Sequence, residues 1–457
     1  MRCALLPLLG LVACAVAGLP VSSASEHQIT NSQKGHMLTN ISVWSRDGQW
    51  VVYDTRKSPQ TFDGTRIEEV NALTGEVRCL YESKNGAACG VVTYHPTEQK
   101  VVFIHGPENP TSDWAYGFSR RRGAVVDLAH PGKAEPLDAM NYAPPFSPGA
   151  LRGGSHVHIF SGDGRYVSFT YDDEVISHLN GDGPDHDANQ RNIGVSMPGH
   201  PVKVNHNHPR NNDGTAFSVL VTHTVAHPRP GSDEISRACE EGWIGQAGYL
   251  RPDGTRQAHA LAFQGLVTAA NGQEHYEVFV VDLPADLTLP DGAPLEGTAT
   301  RRPAPPAGTT QRRITFTDSR SFPGIQGPRH WLRASPDGSQ IAFLMKDNAG
   351  VVQFWTVSPN GGEPRQITHN PWDVASAFTW SSDGKRLAYV MDNSVFYTEV
   401  ATGESIRLTL RSPDDEAPQS YACVFSPDGS RIAYARTNKS GFDQLFFASV
   451  TSATSSR

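Results

Sequence analysis

This 457-residue sequence is short of cysteine, of basic charge and of long apolar runs. It has 6 cysteines, and its 39 lysines and arginines are outnumbered by 47 aspartates and glutamates, for a formal net charge of −8. Because no basic excess is present to neutralise phosphates, we do not expect a nucleic-acid-binding protein. The cysteines lack zinc-site spacing, and there is no Gly-rich phosphate loop and no Gly-x-Ser-x-Gly elbow, which argues against a nucleotide-binding enzyme and a serine hydrolase.

The one long apolar run lies at the N-terminus. Met1-Arg2 is followed by the mostly apolar Cys3–Leu19 and then by the small residues Ser22-Ser23-Ala24. This order predicts a signal peptide over residues 1–24 and an extracytoplasmic protein, either periplasmic or secreted. The alternative is a lipid anchor at Cys14, because Leu11-Val12-Ala13-Cys14 fits a lipoprotein cleavage pattern. No later stretch predicts a transmembrane segment.

Four cysteines follow the predicted signal peptide: Cys79, Cys89, Cys239 and Cys423. In an oxidising compartment Cys79 and Cys89 are expected to be able to pair across one loop. Cys423 lies in the middle of a predicted strand, which predicts a buried thiol.

The chain repeats a short strand, a tight Asp-Gly turn and a second strand. Asp bonds its own backbone in such a turn, Gly tolerates positive φ, and the flanking residues are apolar or β-branched. Two copies are degenerate, at Val91–Ile104 and Val204–Val221. The five clear copies are Ser42–Asp54, His156–Tyr171, Pro328–Leu344, Ala377–Val390 and Ala422–Ala435.

Each copy is followed by two further strands, so the repeating unit is a four-stranded sheet with strands A to D. Seven such units predict an all-β, seven-bladed β-propeller that occupies residues 25–457 as a single domain. The last unit lacks strand D, and Glu26–Asn31 is similar in sequence to the strand D at Pro364–His369. The N-terminal strand is therefore expected to close the last blade and remove an exposed sheet edge.

The middle of the chain fits the repeat least well. Val202–Val204 is expected as strand D of the third blade, and Val204–Val221 as strands A and B of the fourth. Within His223–Glu274, Ser232–Glu241 reads as helical and Arg251–Gly254 imitates a blade turn. An eighth, partial blade in this segment is the alternative to seven.

The long connections follow strands B and D, which predicts a functional site on the face where strand A begins. Seven residues before the turn Asp, the third, fourth and fifth units carry His156, His206 and His330. His158 and His208 lie two residues further along and are expected to point the same way. Pro209 can shift the register by two, so His206 and His208 are alternatives for one position.

Three imidazoles with an open position predict a divalent-metal site, with Mn, Ca or Zn as the ion. The alternatives are a metal-free polar or catalytic site and a channel lining without function. Arg152 and Arg329 are expected on loops of the same face. Asp113-Trp114-Ala115-Tyr116 offers aromatic faces for stacking a sugar ring or a peptide, or else a loop that packs on its own aromatic side chains.

The sequence resembles the YidR family of bacterial proteins, which have no established function. The resemblance covers most of the chain and rests on Phe103–Pro110, Pro148–His158, Pro230–Ile235 and Pro328–Trp331. The turns also resemble those of TolB-like propellers. A more distant resemblance, in blade number and in histidines at blade starts, is to oligogalacturonate lyase, a seven-bladed propeller with a histidine-bound metal ion.

Two functions from different classes are predicted. The first is a metal-assisted lyase acting on an acidic, uronate-containing oligosaccharide, because β-elimination needs a base and a positive group beside the carboxylate. In this hypothesis the catalytic residues are His158, Arg152 and Arg329, and the metal ligands are His156, His206, His208 and His330. The second function is a non-catalytic TolB-like propeller that binds an envelope protein or a glycan.

Overall fold

The computed structural model describes residues 26–179, 190–328 and 331–450. The predicted signal peptide, Cys14, Arg329 and His330 lie outside the described residues. The described strands form seven blade sheets, so the predicted all-β, seven-bladed propeller is confirmed. The helices in these ranges are one turn of α-helix, Glu174–Ser177, and one 3₁₀ turn, Asp414–Glu416, and no helix there is long and apolar enough to cross a membrane.

Each blade is an antiparallel sheet whose strand A lies nearest the central channel. In blade 1 strand A is reduced to two bridges, Met37 to Asp54 and Trp44 to Val51. The other strands of blades 1 to 3 are Trp50–Asp54, Arg66–Asn71 and Val77–Glu82; Cys89–Tyr94, Lys100–His105, Arg122–Asp127 and Ala134–Pro136; and Gly153–Phe160, Val167–Asp173, Asn192–Val202 and Gly214–Leu220.

Blade 4 carries an additional two-stranded hairpin, and blades 5 and 6 have short strands A and D. The strands of blade 4 are Ile235–Trp243, Ala260–Thr268, Glu274–Asp282 and Thr310–Arg313, with the hairpin Tyr249–Leu250 and Arg256–Gln257 inserted after strand A. Blades 5 and 6 contain Arg333–Ala334, Ile341–Lys346, Val352–Val357 and Arg365–Gln366; and Thr379–Trp380, Arg386–Met391, Ser394–Glu399 and Ser405–Arg407.

Side-chain hydrogen bonds fix the turn between strands A and B. In blade 5 the Ser335 hydroxyl donates to the Asp337 carboxylate, which also accepts the backbone N–H of Ser339 at 3.0 Å. Gly338 takes a φ of 75°, which a residue with a Cβ adopts at a cost. The same Ser-to-Asp bond recurs in blades 1, 3, 6 and 7, so the sequence repeat is a repeat of this turn.

Blade 7 is completed by the N-terminus. Its strands Pro418–Phe425, Arg431–Thr437 and Asp443–Ser449 are joined by Glu26–Gln28, which pairs with Asp443–Ser449 in the antiparallel register His27 to Phe447. The Gln28 side chain donates to the Thr30 carbonyl at 2.7 Å, as Gln366 does to Thr368 at 2.7 Å in blade 5. The predicted closure is therefore confirmed.

Deleting Glu26–Asn31 is expected to lower the free energy of unfolding by about 2 to 4 kcal/mol, at roughly 1 kcal/mol for each net hydrogen bond lost. The segment supplies the strand pairing, a Glu26–Arg436 ion pair and the Thr30 hydroxyl that accepts the Leu445 N–H at 2.8 Å. Thermal unfolding of this variant against a chain that begins at residue 26 measures the effect. Equal melting temperatures would mean that the closing strand contributes nothing to stability.

The prediction for the third and fourth blades is wrong in its strand boundaries. Gly214–Leu220 is strand D of blade 3 and pairs with Asn192–Val202, and is not strand B of blade 4. Blade 4 begins instead at Ile235–Trp243, which overlaps the Ser232–Glu241 segment that reads as helical. This strand lacks an alternating burial pattern because its register shifts twice and Glu240 has a φ of 59°.

The turn at Arg251–Gly254 belongs to the hairpin inserted in blade 4, so the described residues hold no eighth blade. The predicted pairing of Cys79 with Cys89 is also wrong, since both are free thiols. Cys79 is exposed on an outer strand, whereas Cys89 is fully buried in the core between blades 1 and 2. Cys423 is buried, as predicted.

Candidate functional site at the channel mouth

A cavity of about 430 Å³ opens where the strands A begin. We call it the channel-mouth cavity. Strand-A segments of several blades contribute to its wall, including Asn40, Val91, His156, Glu240 and Tyr421. Asn40, His156 and Tyr421 are the residues that lie seven positions before the turn Asp. This spacing therefore identifies residues that line the cavity in blades 1, 3 and 7.

A β-bulge decides which histidine of blade 3 reaches this cavity. Val157 has a φ of 57°, and the strand register shifts between the pairs Ile159–Ser168 and His156–Thr170. One additional residue reverses the alternation of side chains along the strand. His156 therefore lines the cavity, whereas His158 points to the opposite side of the sheet and lies against Phe169.

His156 is a neutral base within a positively charged wall. Burial and the nearby Arg121 and Arg191 hold the imidazole pKa well below its ordinary value of 6.5. Its Nδ1 has no hydrogen-bond partner among the residues that the structure describes. The uncharged imidazole therefore keeps one buried nitrogen with an unused lone pair.

Two arginines beside His156 share one carboxylate. Arg191 Nε lies 3.0 Å from Asp172 Oδ1, whereas Arg121 Nη2 lies 3.8 Å from Asp172 Oδ2. Arg121 donates to the Tyr116 hydroxyl at 2.9 Å, but its Nε and Nη2 make no hydrogen bond although only 5% of the residue is exposed. Both guanidinium groups flank the exposed Phe118 ring, at 5.0 and 5.2 Å.

This arginine pair was not identifiable as a site from the sequence. Arg121 lies in Arg120-Arg121-Arg122, the only basic run of an acidic chain, and that run was the available signal; a solvated loop is its common interpretation. Arg191 has no sequence signal at all, because only the pairing of strands B and C within blade 3, Tyr171 with Asn192, brings it to Asp172 and near His156.

Two residues that were predicted to be catalytic, His158 and Arg152, make other contacts in the structure. His158 is fully buried, with Nε2 3.0 Å from the Ser155 hydroxyl and 3.6 Å from Asp138. Arg152 is 1% exposed, pairs with Asp173 at 3.0 Å and donates to the carbonyls of Thr298 and Arg301. Neither side chain lines the channel-mouth cavity, and the third predicted residue, Arg329, lies outside the described residues.

The predicted metal ligands are not brought together within the described ranges. His206 and His208 lie on the connection between strands C and D of blade 3, not on strand A of blade 4. His206 is exposed and 3.5 Å from Asp213, and the His208 ring lies 5.6 Å from that of Trp114. Glu240 takes the place in the cavity wall that was predicted for His206.

One group of side chains in the described ranges has the spacing of a metal site, namely His275, Glu277 and Asp318, whose donor atoms lie within 4.8 Å of one another. Arg313 already supplies a cation there, with Nη2 3.0 Å from Glu277 and 2.9 Å from Asp318. Glu277 also accepts bonds from the hydroxyls of Thr315 and Thr317. These occupied acceptors make the group a poor fit for a metal ion.

A second acidic residue lies in the core between blades 3 and 4. Glu241 is fully buried, and its desolvation raises the pKa of the carboxyl to about 7 against the hydrogen bond from Thr170. The segment Ser232–Glu241, which reads as helical in the sequence, forms most of this strand A. As part of strand A, Glu240 reaches the cavity and Glu241 the core.

Comparison with known proteins identifies relatives of this chain. Residues 88–212 match a family described as a protein of unknown function, DUF3748, and residues 353–456 match the dipeptidyl peptidase IV (DPP IV) N-terminal region. An Escherichia coli protein named "Uncharacterized protein YidR" is 47% identical over 411 residues, which is 89% of this chain and 94% of the relative.

Two solved structures of oligogalacturonate lyase share the fold. One, in complex with manganese, has a TM-score of 0.56 at 11% identity, over 95% of this chain and 96% of the other. The second, from Vibrio parahaemolyticus, has a TM-score of 0.51 at 10% identity, again over 95% and 96% of the two chains. At such identities the similarity shows the propeller fold alone.

Proposed function

Because the chain belongs to the YidR family, whose Escherichia coli member is uncharacterised, we propose a function from the site itself. We infer that the protein is an extracytoplasmic lyase that cleaves acidic, uronate-containing oligosaccharides by β-elimination in the channel-mouth cavity. The observation that carries the proposal is the neutral His156 beside the incompletely paired Arg121 and the neighbouring Arg191.

Each group has its own role in the elimination. The uronate carboxylate binds to Arg121 and Arg191, which stabilise the negative charge that builds up as the neighbouring C–H bond breaks. His156 accepts that proton, the electron pair forms a carbon–carbon double bond, and the bond to the glycosidic oxygen breaks. The leaving oxygen takes a proton from water, and His156 returns its proton to solvent.

Substrate binding also prepares the base. In the free protein burial and the two guanidinium groups disfavour a protonated His156, so the imidazole is neutral but a weak base. A bound carboxylate cancels part of their field and raises the imidazole pKa toward the working pH. Proton transfer is therefore favoured when an acidic ligand is in place.

No step of this elimination is assigned to a metal ion. A divalent ion (Mn, Ca or Zn) on the predicted histidine ring stays a prediction, and the similarity to a lyase solved with manganese supports testing it. The described donors do not fit it, since His156 faces two cations and Arg313 occupies the group around Glu277. Metal analysis of the purified protein is the direct measurement.

The test is incubation of the purified protein with a panel of polyuronides and their oligomers, with ultraviolet absorbance recording the unsaturated product. We expect product from at least one uronate and none from neutral glycans of the same length. Saturable binding of a uronate or of an envelope protein without product would replace the lyase by the alternative, a binding propeller. If the protein shows no binding and forms no product, the proposal is overturned.

A further inference from the structure

A second cavity, of about 270 Å³, lies between blades 2 and 3 on the same face as the first. We call it the blade 2–3 cavity. Its walls come from the connection after strand B of blade 2, from Met140 and Tyr142 after strand D, and from the loop that carries Arg210. Arg210 holds this loop in place by donating to the backbone carbonyls of Glu108 at 2.7 Å and Asn109 at 3.1 Å.

The lining of this cavity is strongly basic, with Glu108 as its one carboxylate and four arginines: Arg120, Arg121, Arg122 and Arg210. Arg120 is neutralised by Glu174 at 2.8 Å. Within the described ranges no carboxylate lies within 4.0 Å of the Arg122 or Arg210 guanidinium, and the buried Arg122 Nε has no hydrogen-bond partner. Partly buried guanidinium groups without a counter-charge indicate a site for an anion.

An aromatic ring stands beside these charges. The Trp114 indole lies 4.6 Å from the Arg120 guanidinium and 5.8 Å from that of Arg210, and Tyr142 meets it edge-on at 5.0 Å. The burial of His208 and the nearby Arg210 lower the pKa of His208, so its ring is uncharged at neutral pH and adds no further positive charge to the cluster. A flat apolar ring between cations suits a sugar that carries a carboxylate.

Arg121 connects the two cavities, because it lines both of them. We propose that the blade 2–3 cavity is a second subsite, which binds the carboxylate of a neighbouring sugar while the first uronate occupies the channel mouth. The ligand is then an oligomer with at least two negative charges, held by Arg122 and Arg210 at its second charge. This inference rests on the proposed function and adds the length and charge of its substrate.

The test compares the binding of a monouronate with that of its linear dimer and trimer by calorimetry. We expect the wild-type protein to bind the dimer or the trimer at least about tenfold more tightly than the monouronate, because charge-assisted hydrogen bonds to the second carboxylate are strong. Arg210→Gln is expected to remove that gain and leave monouronate affinity unchanged. Arg210→Lys, which keeps the charge, is expected to retain part of the gain.

Arg256→Gln is the matched control, since Arg256 is exposed on the hairpin of blade 4 and donates only to the Ala247 carbonyl. It should leave both affinities and the melting temperature unchanged, whereas Arg210→Gln should lower the melting temperature slightly because it loses the bonds to the Glu108 and Asn109 carbonyls. Equal affinity for monomer and oligomers, or an oligomer gain that survives Arg210→Gln, overturns the second subsite while the proposed function stands. Binding of no uronate of any length overturns both.

Discussion

Replacing His156 by Gln is expected to lower kcat/KM for an acidic oligosaccharide about 100- to 10,000-fold, the usual contribution of a general base. Gln keeps a polar side chain of similar size in the cavity wall but cannot take the proton. The melting temperature should fall only slightly, because the imidazole loses its hydrogen bond to the Thr170 backbone, whereas its Nδ1 has no partner among the described residues. Initial rates of unsaturated-product formation, measured with thermal unfolding, give both quantities.

The pH dependence provides a second readout of the same residue. The profile of kcat/KM reports the free protein, in which burial and the two arginines hold the His156 pKa well below 6.5. Protonation inactivates a base, so kcat/KM should be flat as the pH falls to 6.5 and should decline only at lower pH. In the His156→Gln variant this acid limb should be absent.

His158→Gln is the matched control, two residues away on the opposite side of the sheet. It removes the contacts with Ser155 and Asp138 and is expected to cost about 1 to 3 kcal/mol of stability with little change in kcat/KM at a temperature where the protein is folded. The opposite pattern, with His158→Gln inactive and His156→Gln active, would restore the role predicted for His158 and exclude His156 as the base.

Arg152→Met is expected to lower the free energy of unfolding by about 3 to 5 kcal/mol, since it leaves a buried charge without its partner. Asp173 is buried and loses the guanidinium at 3.0 Å, although it still caps Glu174–Ser177 by accepting the Ile176 N–H. The connection between strands C and D of blade 4 also loses the bonds from Arg152 to Thr298 and Arg301. Urea unfolding measures the loss, and protease cleavage within residues 284–309 should become faster.

A double variant separates the buried charge from the lost anchor. Asp173→Asn keeps an oxygen for the helix cap and removes the charge, so Arg152→Met with Asp173→Asn should recover part of the stability. Because Arg152 does not line either cavity, the folded Arg152→Met protein should keep its kcat/KM. A large loss of kcat/KM at full folding would instead support the catalytic role predicted for Arg152.

The strand repeat was readable in the sequence because the turns are local. Ser335, Asp337 and Gly338 fold their own turn through bonds two residues apart, and the same letters recur in four other blades. The closing strand was readable for the same reason, since Gln28 and Thr30 repeat a bond seen at Gln366 and Thr368. The turn pattern misassigns strands in blades 3 and 4. Asp213-Gly214 has the sequence of such a turn but is not the A–B turn of a blade.

The candidate site depended on contacts that no local pattern records. The seven blades and His156 at a blade start could be predicted from local turn and strand patterns, and the closing strand could be predicted because its Gln28-Ile29-Thr30 pattern matches that of another strand D. Only the tertiary structure decided that His156 faces the channel and His158 the core, since the bulge at Val157 is fixed by pairing with the next strand. Arg121 and Arg191 meet at Asp172 because separate strands and loops converge at the channel mouth, and that convergence sets the charge around His156.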